Sequence, residues 1–162
     1  GARTVGIAGG PDKCAYARDE LGYDRCVDHK SPDFAAELKR AVPDGIDGLF
    51  ENVGGAPFDN CLRSLSDFAR IALCGLIASY EGGSTILPDM RIFLVRRIKI
   101  EGFIVSDHLP LWPQALGELA GYVAAGRIRY RETISQGLAS APGAFVDLLK
   151  GRNFGKQLVK LF

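Results

Sequence analysis

Two apolar runs in this chain end in side chains that could hold a ligand. Phe50-Glu51-Asn52-Val53-Gly54-Gly55 closes on an amide and paired glycines, and Ile71-Ala72-Leu73-Cys74-Gly75-Leu76-Ile77-Ala78-Ser79-Tyr80 closes on a thiol, a hydroxyl and a phenol. Read as neighbouring parallel strands of a doubly wound sheet, both runs point their carboxyl ends at the crevice where such sheets bind nucleotides. Asn52 and the Cys74 to Tyr80 stretch then share one rim. Cys74 itself lies inside an apolar run, which predicts an inert core thiol and not a nucleophile.

A third segment bears on phosphate chemistry. Thr4-Val5-Gly6-Ile7-Ala8 is β-rich and closes on Gly9-Gly10-Pro11, with Lys13 one helical turn further on. A pyrophosphate needs free backbone amides at a helix N-terminus, yet the glycines lack the GxGxxG spacing and Pro11 removes a donor. The segment instead fits the second strand of a dinucleotide fold, with the first strand, its glycine turn and its helix expected upstream of residue 1. At the end of that second strand an acidic residue would pair with free ribose hydroxyls and repel a 2′-phosphate. Here glycine stands in its place. Lys13 either pairs with the 2′-phosphate, favouring NADP over NAD, or is a solvated lysine on a helix face.

The elements needed to position these residues alternate along the chain. A helix from Pro11 to about Leu21 is followed by a strand at Arg25 to Asp28 and a helix opened by Ser31-Pro32-Asp33, with Phe34, Leu38 and Val42 on one face. Next come a buried strand Ile46 to Phe50, a helix Pro57 to Leu65 and a strand Arg70 to Ile77. A short helical stretch around Arg91 to Val95 leads to a strand Ile98 to Val105. Leu116, Leu119, Ala120 and Val123 mark an amphipathic helix ended by Gly126. A strand-like alternation from Ile128 to Ile134, a helix Ala141 to Lys150 and a strand Gln157 to Leu161 complete the chain. This order predicts an α/β, Rossmann-like fold with a mostly parallel sheet and helices on both faces, lacking its first βα unit. A boundary falls at Gly126-Arg127, dividing a partial dinucleotide-binding unit, 1–126, from a C-terminal segment, 127–162, that completes the nucleotide domain.

With 162 residues, 47% of them hydrophobic and 24% charged, the chain has the composition of one globular domain. A net charge of +1 from scattered basic residues argues against nucleic-acid or membrane binding. The densest basic run, Arg96, Arg97 and Lys99, reads as a solvated element end. Cys14, Cys26, Cys61 and Cys74 form no CxxC and no zinc-like spacing with His29 or His108, so reduced thiols and no metal are expected. Apolar runs short of the roughly 20 residues of a membrane helix, with no basic leader, predict a cytoplasmic location.

Five pieces in order now carry a resemblance: Gly6 to Gly10 with Lys13-Cys14, Phe50 to Gly55, Ala69-Arg70-Ile71 with Cys74-Gly75 and Tyr80, Gly102-Phe103-Ile104-Val105, and Gly151-Arg152-Asn153-Phe154-Gly155-Lys156. Together they resemble the zinc-independent medium-chain dehydrogenase/reductase family, in the group of prostaglandin reductase, leukotriene 12-hydroxydehydrogenase and curcumin reductase. The resemblance implies NADPH-dependent reduction of the C=C bond of α,β-unsaturated ketones or aldehydes, with hydride delivered to the β-carbon. By it, Lys13 matches the 2′-phosphate lysine, and Asn52, Cys74, Ile77 and Tyr80 match cofactor-contacting positions. Phe103, Ile104 and Val105 match the segment whose backbone meets the nicotinamide amide, and Asn153 matches a cofactor-contacting asparagine.

His29 departs from the family's tyrosine. It either donates to a phosphate, with pH dependence near the unperturbed imidazole pKa of about 6.5, or is an exposed loop histidine. Tyr80 is the candidate nearest the chemistry, and ribose positioning is favoured over proton donation because a phenol of pKa near 10 is a weak acid. His108 is expected at the mouth of the substrate crevice, and Trp112 in packing. The family's GroES-like catalytic domain would lie largely outside this chain, so the isolated chain is expected to be inactive. The alternatives are a non-catalytic nucleotide-binding or structural module that self-associates, as a homodimer or larger, and, among enzymes, a quinone reductase or an enoyl reductase domain.

Overall fold

A computed structural model describes residues 1–81 and 89–162. Val5–Ala8 (β1) and Arg25–Asp28 (β2) pair in parallel, joined by a helix, Pro11–Asp19 (α1). Pro11 opens that helix at no cost, since its fixed φ suits the first turn and its missing N–H would have no intrahelical partner. Phe34–Ala41 (α2) then leads to Ile46–Glu51 (β3), Gly55–Arg63 (α3) and Leu65–Leu73 (β4). After Arg91–Val95 (α4), Lys99–Gly102 (β5) completes a parallel sheet in the order β3-β4-β5. Trp112–Ala124 (α5) follows, and Glu132–Gln136 (β6), Ala141–Leu149 (α6) and Lys156–Lys160 (β7) form a third parallel pair, β6-β7. The expected α/β order of parallel strands and crossover helices is present throughout.

Among the described residues β1 pairs only with β2, and β3 only with β4. The two sheets are held by side chains instead. Phe34, Leu38 and Ala41 of α2 pack with Val27, Val42 and Cys61, and this cluster takes in Val5 and Ile7 of β1 together with Ile46 and Leu49 of β3. A second cluster, Phe58, Leu62, Leu65, Ala69 and Ile71, lies beneath α3 and draws in Phe93 of α4. The helical spacing of Phe34, Leu38 and Val42 therefore marks the face that the sequence predicts.

Three strands differ most from their expected bounds, and one helix differs in its exposure. β4 begins at Leu65, but regular pairing with β3 starts only at Gly48↔Arg70, after an irregularity in which Phe68 adopts φ 62°. The strand ends at Leu73, before the predicted Ile77, because the amides of Cys74 and Gly75 both turn back to the carbonyl of Glu51 and a 3-10 helix, Ile77–Glu81, takes over. The predicted strand Ile98 to Val105 is limited to Lys99–Gly102. Arg127 to Arg131 alternate without forming a strand. Arg127 instead stacks on Tyr122 and Arg131 on Phe154 at 4.7 and 4.1 Å, and β6 starts at Glu132. The amphipathic helix is present as α5, yet Leu116, Leu119 and Val123 are exposed.

The turn from β1 into α1 is set by one carboxylate. Asp28 Oδ1 accepts from the amides of Gly10 (2.8 Å) and Lys30 (2.9 Å), while the amide of His29 reaches the carbonyl of Ala8. Gly10 has φ 103°, a conformation that a side chain would resist. The Gly10 amide first, and the Lys30 amide second, hold the Asp28 carboxyl below its ordinary range.

Leu38 is 2% exposed, and Leu38→Ala is expected to cost about 3 kcal/mol in urea unfolding, against no more than about 0.5 kcal/mol for Leu116→Ala, whose side chain is exposed. For Asp28 the lowered folded-state pKa means that its stabilisation is present above the unfolded value and lost as pH falls through the folded one. The Gly10 and Lys30 amide resonances should therefore titrate together with a midpoint below about 3.9, and Asp28→Asn should abolish that transition.

Candidate functional site

Two clusters gather the candidate residues. At the first, Lys13 projects from α1 and donates from Nζ to the carbonyl of Gly151 at 2.6 Å. Desolvation first, and the charge of Lys30 second, lower its pKa. His29 and Lys30 follow β2 and lean over Gly9: a Cβ there would lie 2.8 Å from His29 Nε2 and 3.0 Å from Lys30 Cε. Glycine at this position lets both side chains lie close across the backbone. The result is two lysines and an imidazole converging on the β1 to α1 turn, a donor set that suits a phosphate dianion and that such an anion would relieve of like-charge repulsion.

The same cluster receives the distant segment Gly151 to Phe154. Phe154 meets Tyr16 of α1 edge-on at 5.3 Å between ring centroids, and Gly151 takes the lysine. Asn153 lies between these two contacts, with its Nδ2 donating to the carbonyl of Gly155 at 2.7 Å. Sequence reasoning found Lys13, His29 and Asn153 but gave no role to Lys30 or Asp28. Their signal was position: both stand at the end of the strand that pairs with β1.

At the second cluster the loop after β3 and the loop after β4 are zipped together. The carbonyl of Glu51 accepts from Cys74 (2.8 Å) and Gly75 (3.2 Å), that of Asn52 from Ile77 (3.5 Å) and that of Val53 from Ala78 (2.9 Å). A Cβ on Gly75 would meet Asn52 Oδ1 at 2.5 Å and the Asn52 carbonyl oxygen at 3.3 Å, so glycine eases this approach. Asn52, Cys74 and Ile77 lie on these paired loops, and Tyr80 follows in the 3-10 helix, 75% exposed. Cys74 corrects the sequence expectation: it is exposed, because β4 stops one residue before it and its side chain leaves the core.

Phe103 adjoins these loops. Its amide reaches the carbonyl of Leu73 at 3.2 Å, and its ring lies 6.3 Å from that of Phe50. Ile104 and Val105 are exposed beside it, and Trp112 Nε1 donates to the Val105 carbonyl at 3.4 Å. On the face of the sheet away from α3 lies an open trough of about 580 Å³, walled by Phe50, Arg70, Lys99, Glu101, Phe103 and His108. Lys99 pairs with Glu101 at 2.7 Å and Arg97 with Asp67, so the basic run is matched by local acids.

The buried thiols are chemically quiet. Burial pushes Cys26 and Cys61 up to about 12, with Cys14 adding to the first and Glu51 to the second. Among the described residues no three of His, Cys, Asp or Glu are placed to hold a metal ion, so these residues do not fit a zinc site. Among the same residues no helix is long and apolar enough to cross a membrane.

Comparison with known proteins fits this geometry. The family described as zinc-binding dehydrogenase matches residues 1–121. An NADPH-dependent curcumin reductase from Escherichia coli (strain K12) is 43% identical over 99% of this chain and 49% of its own length. A 2-alkenal reductase (NADP(+)-dependent) from Nicotiana tabacum is 40% identical over 98% of this chain and 47% of its own length. The crystal structure of CurA in complex with NADPH from Vibrio vulnificus superposes with a TM-score of 0.92 at 45% identity, covering 99% of this chain and 50% of that one. The chain spans about half the length of the curated relatives it matches. With a matched family, a Rossmann-like fold and reductase relatives along its whole length, the chain belongs to the zinc-binding dehydrogenase family, among its medium-chain reductases.

Proposed function

We propose that this chain carries the NADP(H)-binding residues of a reductase that saturates the C=C bond of α,β-unsaturated ketones and aldehydes. The observation that carries the reading is the convergence of Lys13, His29 and Lys30 on the β1 to α1 turn, where they would hold the 2′-phosphate. Asn153 is delivered to the same turn through its neighbours Gly151 and Phe154. In a doubly wound fold one half serves each mononucleotide, so the zipped loops after β3 and β4 take the other end of the cofactor. There Asn52, Cys74, Ile77 and Tyr80 form the contact surface, with Tyr80 as a ribose-positioning phenol, and the backbone of Phe103, Ile104 and Val105 meets the nicotinamide amide. NADPH supplies the hydride when bound.

In this reading residues 1–126 form part of the cofactor unit, and 127–162, with the β6-β7 pair, complete it and return toward a GroES-like catalytic domain. The reaction takes place in the cytoplasm, and the 162 residues by themselves do not turn over an enone, since the relatives that carry reductase names are about twice as long. A second reading, self-association of a non-catalytic module, is favoured by the open sheet face with exposed Phe50 and Ile100. A mass in size-exclusion chromatography that stays monomeric at all concentrations would count against it.

Lys13→Ala should weaken NADPH binding by roughly tenfold or more and leave NADH binding unchanged, as measured by calorimetry. Equal losses for both cofactors would overturn the phosphate assignment. Loss of NADPH absorbance with an enone in the presence of the purified chain alone would contradict its inactivity.

A further inference from the structure

Glu51, 6% exposed, is the buried charged residue among those described, and the cofactor contacts proposed above do not use it. Burying a carboxylate is costly unless its oxygens find donors. Here Oε1 accepts from the amides of Val53 (2.6 Å) and Gly54 (2.7 Å), two consecutive N–H groups where the chain enters α3. Its carbonyl accepts from the amides of Cys74 and Gly75. One residue therefore binds both loops of the second cluster, by its side chain on one and its backbone on the other.

A helix start is ordinarily capped by a Ser, Thr, Asp or Asn side chain at the position that Gly54 occupies. Gly54 has φ 79°, and a Cβ on it would press on Leu76 Cδ2 at 3.0 Å. The positive φ of Gly54 is what disfavours a side-chain cap at this position. Glu51 serves a different pair of amides, those of Val53 and Gly54 ahead of the helix, and reaches them from the strand end, filling the concavity made by successive N–H groups.

We propose that Glu51 is a positioning residue of the cofactor site: its carboxylate and carbonyl lock the Asn52 loop and the Cys74 to Tyr80 loop into one surface for the nicotinamide half of the cofactor. This rests on the NADP(H) reading above, and 2′,5′-ADP, which carries the phosphate half alone, separates the two. Glu51 acts through Asn52 and its neighbours and does not itself touch the cofactor.

The test is calorimetric titration of the full chain and its Glu51→Ala and Glu51→Gln variants with NADPH and with 2′,5′-ADP. Glu51→Ala should weaken NADPH roughly tenfold by leaving the amides of Val53 and Gly54 without their acceptor, with 2′,5′-ADP unchanged. Glu51→Gln keeps an oxygen acceptor and should stay within about threefold of the parent for both ligands. Amide hydrogen exchange should rise at Val53, Gly54 and Ala78 in Glu51→Ala and not at Gly10 or Lys30. Unchanged NADPH affinity in Glu51→Ala, with 2′,5′-ADP still bound, overturns the role of Glu51 and leaves the cofactor reading standing. Loss of both ligands in both variants also overturns it, since the carboxylate would then serve the fold alone. Failure of the parent chain to bind either ligand removes the cofactor reading, and this proposal with it.

Discussion

The structure depends on the burial of one helix face. β1-β2 and β3-β4-β5 share no ladder among the described residues, so no backbone hydrogen bond fixes one sheet against the other. What fixes them is α2, whose Leu38, Phe34 and Ala41 reach Val5, Ile7 and Val27 on one side and Ile46, Leu49 and Cys61 on the other. Apolar burial is non-directional, but close packing makes it specific in position, because interdigitated side chains admit few alternative arrangements. The phosphate cluster hangs from the first sheet and the zipped loops from the second, so both inherit their placement from this contact.

At each site the same device converts a strand end into a binding turn. Asp28 ends β2 and Glu51 ends β3, and each gives one carboxylate oxygen to two backbone amides. Asp28 secures Gly10 and Lys30 around the lysines. Glu51 secures Val53 and Gly54 beside Asn52. The environments differ, since Glu51 is buried and Asp28 only partly so, which makes the first a matter of donors left without their acceptor and the second a matter of local turn geometry. Glycines complete both arrangements where side chains cross the backbone, Gly9 under His29 and Lys30, and Gly75 under Asn52.

The opposite face of the second sheet tells a different story. Phe50 and the apolar residues of α5 are exposed, while the face toward α3 and α4 is closed by Phe58, Leu62 and Ile71. An amphipathic pattern states which side of an element is apolar, and it is silent on what covers that side. For α2 and α3 the covering elements are within this chain. For α5 the apolar stripe of Leu116, Leu119 and Val123 meets no such partner among the described residues.

Much was legible in the residues themselves. Alternation of strand and helix patterns, Pro11 at a helix start and the 3.6-residue spacing of Phe34, Leu38 and Val42 are local signals, and each has its counterpart in the structure. The family resemblance likewise rested on short ordered motifs. Strand ends were less legible: Gly75-Leu76-Ile77-Ala78 is as apolar as the strand before it, and its hydrogen bonds to Glu51, Asn52 and Val53 make it a loop. For the same reason Cys74 read as a core thiol and is exposed. The sequence by itself determined the fold class, the cationic character of the β1 to α1 turn and the presence of Asn153, because composition and spacing are properties of neighbours along the chain. Only the tertiary structure decided that Lys30 joins Lys13, that Gly151 and Phe154 bring Asn153 to α1, and that Glu51 ties two loops together. Those contacts join residues far apart in sequence, and their existence depends on packing that no local pattern encodes.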